Sequence, residues 1–105
     1  MLKTIGYAEM AMSDIEFFAP DEGFEALEEK ALFGSQRLQK VVLPSTFKHW
    51  GHDCVGGCDE LRAVYFHENI AGEVVARARY SLPPDVRVFW GNKEVPLTVM
   101  ASMAV

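Results

Sequence analysis

Two stretches of the chain repeat each other at a spacing of 23 residues. The first places Phe24, Leu27, Ala31, Leu32, Gly34, Ser35, Leu38, Val41 and Leu43, and the second places Phe47, Trp50, Cys54, Val55, Gly57, Cys58, Leu61, Val64 and Phe66 at the same offsets. A period of this length with apolar side chains kept at matched positions marks a solenoid, in which each unit buries its apolar edge only against its neighbours. The repeat therefore limits the fold before any single residue does.

Within the first unit, Phe24, Leu27, Ala31 and Leu32 fall at helical spacing among Glu25, Glu28, Glu29 and Lys30, which predicts one amphipathic helical segment stopped by Gly34. Leu38, Val41 and Leu43 then lead along a short strand to Pro44, which has no N–H to pair. The second unit keeps this order, with a short helical turn at Cys54-Val55, a stop at Gly56-Gly57 and a strand through Val64 and Phe66. A worn third copy begins at Ile70. One residue is then missing, so that Val86 and Val88 trail Val64 and Phe66 by 22, and Arg79 stands at its glycine position.

Residues 1–22 fit the repeat poorly and are expected as an N-terminal cap, with Ile15 and Phe17 alternating as a short strand before the Pro20-Asp21 turn. Residues 86–89 and 95–99 flank Gly91-Asn92, which predicts a hairpin across the open end of the stack. The expected fold is α+β, a single domain over residues 1–105: N-terminal cap 1–22, repeat units 23–89 and C-terminal cap 90–105.

Seven Phe, two Trp and a half-apolar composition fill one small core. The net charge of −5 is uneven. Residues 1–30 hold eight carboxylates against Lys3 and Lys30, a net −6, and the rest of the chain carries +1. Such an end argues against direct nucleic-acid binding, which needs a basic footprint, and suits a protein partner with a basic surface. No secretory signal is read at the start and no apolar run is long enough to span a bilayer. Reduced thiols in the cytoplasm are expected, or the cell surface if the chain belongs to a longer exported protein. No membrane partner is expected, and the chain is expected as a monomer or small homo-oligomer.

The segments Ala31-Leu-Phe-Gly-Ser-Gln-Arg-Leu38 and Cys54-Val-Gly-Gly-Cys-Asp-Glu-Leu61, each running into a Val-x-Leu/Phe strand, with Leu43-Pro44-Ser45 after the first, resemble the BspA-type leucine-rich repeat. Trp50-Gly51 stands where that family has Ile-Gly. The resemblance covers residues 24–66 and, in worn form, extends to 89. It implies a short leucine-rich-repeat-like stack of strands and helical turns, used for binding other molecules. The chain departs from the family in having only two to three units.

His49, His52, Asp53, Cys54, Cys58 and His67 crowd a short region and carry the donor types of a zinc site. The repeat argues against that reading, because Cys54 and Cys58 match Ala31 and Ser35 and are expected to point into the stack as small buried residues. A Cys-His nucleophile also lacks an evident oxyanion hole. The Gly56-Gly57 pair has no following Lys and reads as a turn rather than a phosphate cradle. No metal, cofactor or catalytic residue is expected, and the chain reads as a non-enzyme.

The outward face of the strands is the first candidate surface. If Val41 and Leu43 point inward, alternation turns Lys40 and Val42 outward, followed by Ala63 and Tyr65, then Arg87 and Phe89. Val42, Tyr65 and Arg87 are expected to form a row, with Tyr and Arg the types enriched at binding hot spots. The second candidate is the acidic segment with Asp21, Glu22, Glu25, Glu28 and Glu29. Two functions follow: a protein–protein interaction module using the strand face (Lys40, Val42, Tyr65, Arg87), or a small acidic phage-type inhibitor, anti-CRISPR-like, that blocks a basic nucleic-acid-binding surface.

Overall fold

The computed structural model describes residues 3–83 and 85–96. Its order is β1 (Thr4–Ile5), β2 (Phe17–Phe18), β3 (Ala26–Leu27), β4 (Lys40–Leu43), β5 (His49–Trp50), β6 (Ala63–Phe66), α1 (Gly72–Ala78), β7 (Arg87–Trp90) and β8 (Lys93–Val95). Successive coils place a strand on each of two sheets: β1-β3-β5 in one, and β2-β4-β6-β7-β8 in the other. All neighbours are parallel except β7 and β8. The molecule is thus a small α+β domain with solenoid-like stacking of strands and one short helix.

The 23-residue echo is this stacking: Ala26 pairs with His49, and Lys40 with Ala63. Side chains at equivalent positions form columns through the interior. Ile5, Leu27 and Trp50 make one column, and Phe18, Val41, Val64 and Val88 another. The Phe24 and Phe47 rings stack at 6.2 Å. Each fully buried Leu or Val contributes roughly 1.5–3 kcal/mol.

Residues 3–18, expected as a cap, cover their end of the stack by following the same path as the units. Thr4 pairs with Ala26 at a spacing of 22, and Phe17 with Lys40 at 23. The Ala8, Met10 and Met12 N–H groups donate to the carbonyls of Glu29, Ala31 and Phe33, just as Lys30, Leu32 and Gly34 donate to His52, Cys54 and Gly56. The strand here is Phe17–Phe18, with Phe18 inward and Phe17 in solvent, so Ile15 is only half-buried beside it.

Two left-handed corners recur in each coil before the α1 unit: Ala8, Lys30 and Asp53 at one, and Met12, Gly34 and Gly57 at the other. The predicted helix over residues 24–32 is absent. That segment is the strand Ala26–Leu27 followed by turns, because a left-handed Lys30 (φ 56°) breaks any helical run. Phe24, Leu27, Ala31 and Leu32 are all buried, but as a coil folded around the core rather than as one face of a helix.

Helix occurs instead in the third unit, where α1 lies against β5. This unit is one residue longer than the period, not one shorter: Val88 pairs with Val64, and Trp90 with Phe66. Gly91-Asn92 turns β7 into the antiparallel β8, with Gly91 left-handed at φ 65° and its N–H donating to Phe66 O. The second hairpin strand, expected at 95–99, lies earlier at Lys93–Val95, because the turn at Gly91-Asn92 leads into pairing at once; only Val95 is shared, and residues 97–99 lie outside the described residues.

Candidate functional site

Alternation along β4, β6 and β7 sends Val41, Leu43, Val64, Phe66 and Val88 into the core, and leaves Lys40, Val42, Ala63, Tyr65, Arg87 and Phe89 on the outer face. Two rows result, Lys40–Ala63–Arg87 and Val42–Tyr65–Phe89. Arg87 therefore does not continue the Val42–Tyr65 row as expected. The α1 unit's extra length shifts the third strand, and Phe89 takes that place.

The two rows are bound together by cations over rings. Lys40 Nζ sits 5.0 Å from the Tyr65 ring centroid, the Tyr65 and Phe89 rings stack at 4.7 Å and 9°, and Arg87 Cζ lies 5.3 Å from the Phe89 ring. Contacts of this kind contribute about 0.5–1 kcal/mol each at exposed sites. Arg87 in turn holds Glu94 on β8 through two hydrogen bonds, from Nη2 at 2.8 Å and Nε at 3.3 Å. This pairing draws the Glu94 carboxyl below its ordinary range and raises the guanidinium further. At one end of the face, Val42, Tyr65, His67, Glu68 and Asn92 line a shallow cleft of about 250 Å³.

The acidic candidates do not share a helical face. Glu22 accepts from Ser45 N–H at 3.1 Å and from its hydroxyl at 2.7 Å, which lowers its carboxyl below the ordinary range. Glu25 pairs with Lys48 at 3.8 Å, and Glu28 with His49 at 3.5 Å. Asp21 and Glu29 remain exposed. Stacking thus brings Lys48 and the His49 imidazole of the next coil beside Glu25 and Glu28, which the linear charge count could not register.

The thiols and imidazoles separate. Cys54 and Cys58 are buried and unpaired, and desolvation pushes the Cys58 thiol up to about 11 and the Cys54 thiol higher still. Cys58 Sγ donates to Leu32 O at 3.3 Å, and in the preceding coil the buried Ser35 hydroxyl donates to Met10 O at 3.3 Å. The match of Cys58 to Ser35 is therefore physical: both are small donors that join one coil to the last. His49 and His52 lie at the surface, His52 against Asp53 at 3.4 Å, and His67 Nδ1 accepts from Asn69 N–H.

Sequence reasoning left Glu94 and Phe89 out of the site. Phe89 was legible as outward, but its row depends on a register set by the extra residue of the α1 unit, where the sequence pattern suggested one too few. Among the described residues, no helix is long and apolar enough to cross a membrane. The chain matches no protein-family model, no curated protein and no solved structure.

Proposed function

We infer that the protein is a non-enzymatic interaction module that engages a protein partner through the outer face of β4, β6 and β7. The observation that carries this reading is the outward-facing ladder of Lys40, Tyr65, Phe89 and Arg87, in which two half-buried flat rings are stacked in advance and two exposed cations flank them. Aromatic and Arg side chains held in one arrangement lose little entropy on binding, which is what a hot spot requires. The resemblance to the BspA-type leucine-rich repeat agrees with this use, since that architecture serves mostly for binding.

The test is capture of a partner by immobilised protein, followed by Tyr65→Ala and Phe89→Ala. Each is expected to weaken the captured complex by roughly tenfold or more while leaving the protein folded. Undiminished capture by both variants would remove the strand face from consideration.

A second reading rests on the charge of residues 1–30, a net −6. As an acidic inhibitor of the anti-CRISPR kind, the protein would occupy a basic nucleic-acid-binding groove, with Asp21 and Glu29 its exposed contacts. Binding would then fall steeply with added salt and with charge reversal at Glu25, Glu28 and Glu29. Indifference to both would leave the strand-face reading alone.

A further inference from the structure

The regular stack is interrupted at one place. β5 is the last strand of its sheet, and where a further coil would lay a strand along its edge, residues 72–78 wind into α1 instead. A helix is about 10 Å across, whereas neighbouring strands sit about 4.8 Å apart, so a helix cannot close along a strand edge as another strand would. The result is a cleft of about 490 Å³ between β5 and the end of α1, within the size range of small-molecule sites.

We propose that this cleft binds a small organic anion with a flat apolar body, an aromatic carboxylate. Tyr80 supplies a flat surface over a floor underlain by Trp50, and Arg77, His49, His52 and Ser81 supply polar groups around it. Tyr80 is 66% exposed yet fixed in place: the Arg79 guanidinium lies 4.2 Å from its ring and donates to its hydroxyl at 2.9 Å. Arg77 projects from the exposed side of α1, and among the described residues it has no carboxylate within ion-pair distance.

Among the described residues, no carboxylate lines the cleft itself. Glu28 and Asp53 are engaged by His49 and His52, at 3.5 and 3.4 Å. Glu73, one turn before Arg77, lines a smaller adjoining recess of about 70 Å³. Trp50 forms the buried floor of the cleft: it is 1% exposed, and its indole N–H, shut off from solvent, finds no acceptor among the described residues, whereas the Trp90 indole donates to Ile70 O at 3.1 Å. The two indoles therefore give separate reporters, one beneath the cleft and one away from it. This cleft belongs to the other sheet from the strand face, so it stands or falls independently of the interaction reading.

The experiment is a titration of the ¹⁵N-labelled protein with naphthalene-2-carboxylate, followed through the two indole N–H resonances and the amides of residues 49–52 and 77–81. The expected result is saturable movement of the Trp50 indole and those amides, with the Trp90 indole as an unmoved internal reference. Naphthalene-2-carboxamide, and the carboxylate added to Arg77→Gln, are each expected to bind about tenfold more weakly or worse. Arg77 is exposed, so an unchanged Trp90 resonance verifies that this variant is folded. Equal binding of the carboxamide, full affinity in Arg77→Gln, or the absence of saturable movement at these residues would overturn the proposal.

Discussion

The ring of Phe89 lies 4.7 Å from that of Tyr65 and within 9° of parallel, although the two residues are 24 positions apart. This stack joins β6 to β7, two of the three strands of the proposed binding face. A double-mutant cycle over Tyr65→Ala and Phe89→Ala is expected to give a coupling of about 0.5–1.5 kcal/mol in urea unfolding. Additive losses would mean that the rings contribute separately.

Leu61 is fully buried in the column that continues from Leu38. Leu61→Ala is expected to cost roughly 2–5 kcal/mol. A loss below about 0.5 kcal/mol, as for an exposed position, would contradict the stacking register.

Gly51 passes against the preceding coil, and a Cβ there would collide with the Glu28 carbonyl carbon and come within 2.6 Å of its oxygen. Both are backbone atoms, which cannot swing aside. Gly51→Ala is expected to destabilise by more than about 2 kcal/mol, read from the denaturant midpoint, whereas Gly57→Ser, strained only by its own φ of 72°, is expected to cost about 1–2 kcal/mol.

Burial holds both thiols protonated at neutral pH, so a thiol reagent is expected to label Cys54 and Cys58 at the rate of global opening. Labelling should become fast and stoichiometric only in denaturant. Rapid reaction of either thiol in the native protein would contradict its placement.

Glu22 and Glu94 both titrate below the ordinary 4.5 in the folded state, Glu22 through its bonds from Ser45 and Glu94 through Arg87. A depressed carboxyl stabilises the fold above its unfolded pKa, and that stability is lost as pH falls through the folded pKa. Stability is therefore expected to decline below about pH 4.5, and the double variant Glu22→Gln/Glu94→Gln is expected to flatten that decline. Because both groups are exposed, the effect is small and should shrink further in high salt. An unchanged acid limb would show that neither pairing persists in solution.

Much of the stack was legible from nine pairs of residues, because a column of side chains enforces like against like at every turn: Leu38 over Leu61, Ser35 over Cys58. Two things escaped. Apolar spacing at 24, 27, 31 and 32 imitates a helix, since a coil that turns corners around a core also buries residues three and four apart, and only the left-handed Lys30 distinguishes them. The first coil escaped because its equivalents are chemically worn. Met12 occupies the left-handed corner that Gly34 and Gly57 hold in later coils, and hydrogen bonds between backbones, which carry no sequence identity, keep it in line. The site was legible as far as alternation goes. The pairing of Arg87 with Glu94, and the cleft beside α1, depend on an inserted helix that breaks the period.

The two ends of the stack are unlike. At one, β8 is three residues long with Lys93 and Glu94 in solvent, and α1 covers β5. At the other, β1 and β2 have no further strand on their outer edges among the described residues, and Tyr7, Met12 and Phe17 are exposed nearby. β1 and β2 are only two residues long, and very short edge strands, like the charged β8, are poor templates for another strand. The stack is therefore blunted at both poles by different means, brevity of the strands at one and charge beside a helix at the other.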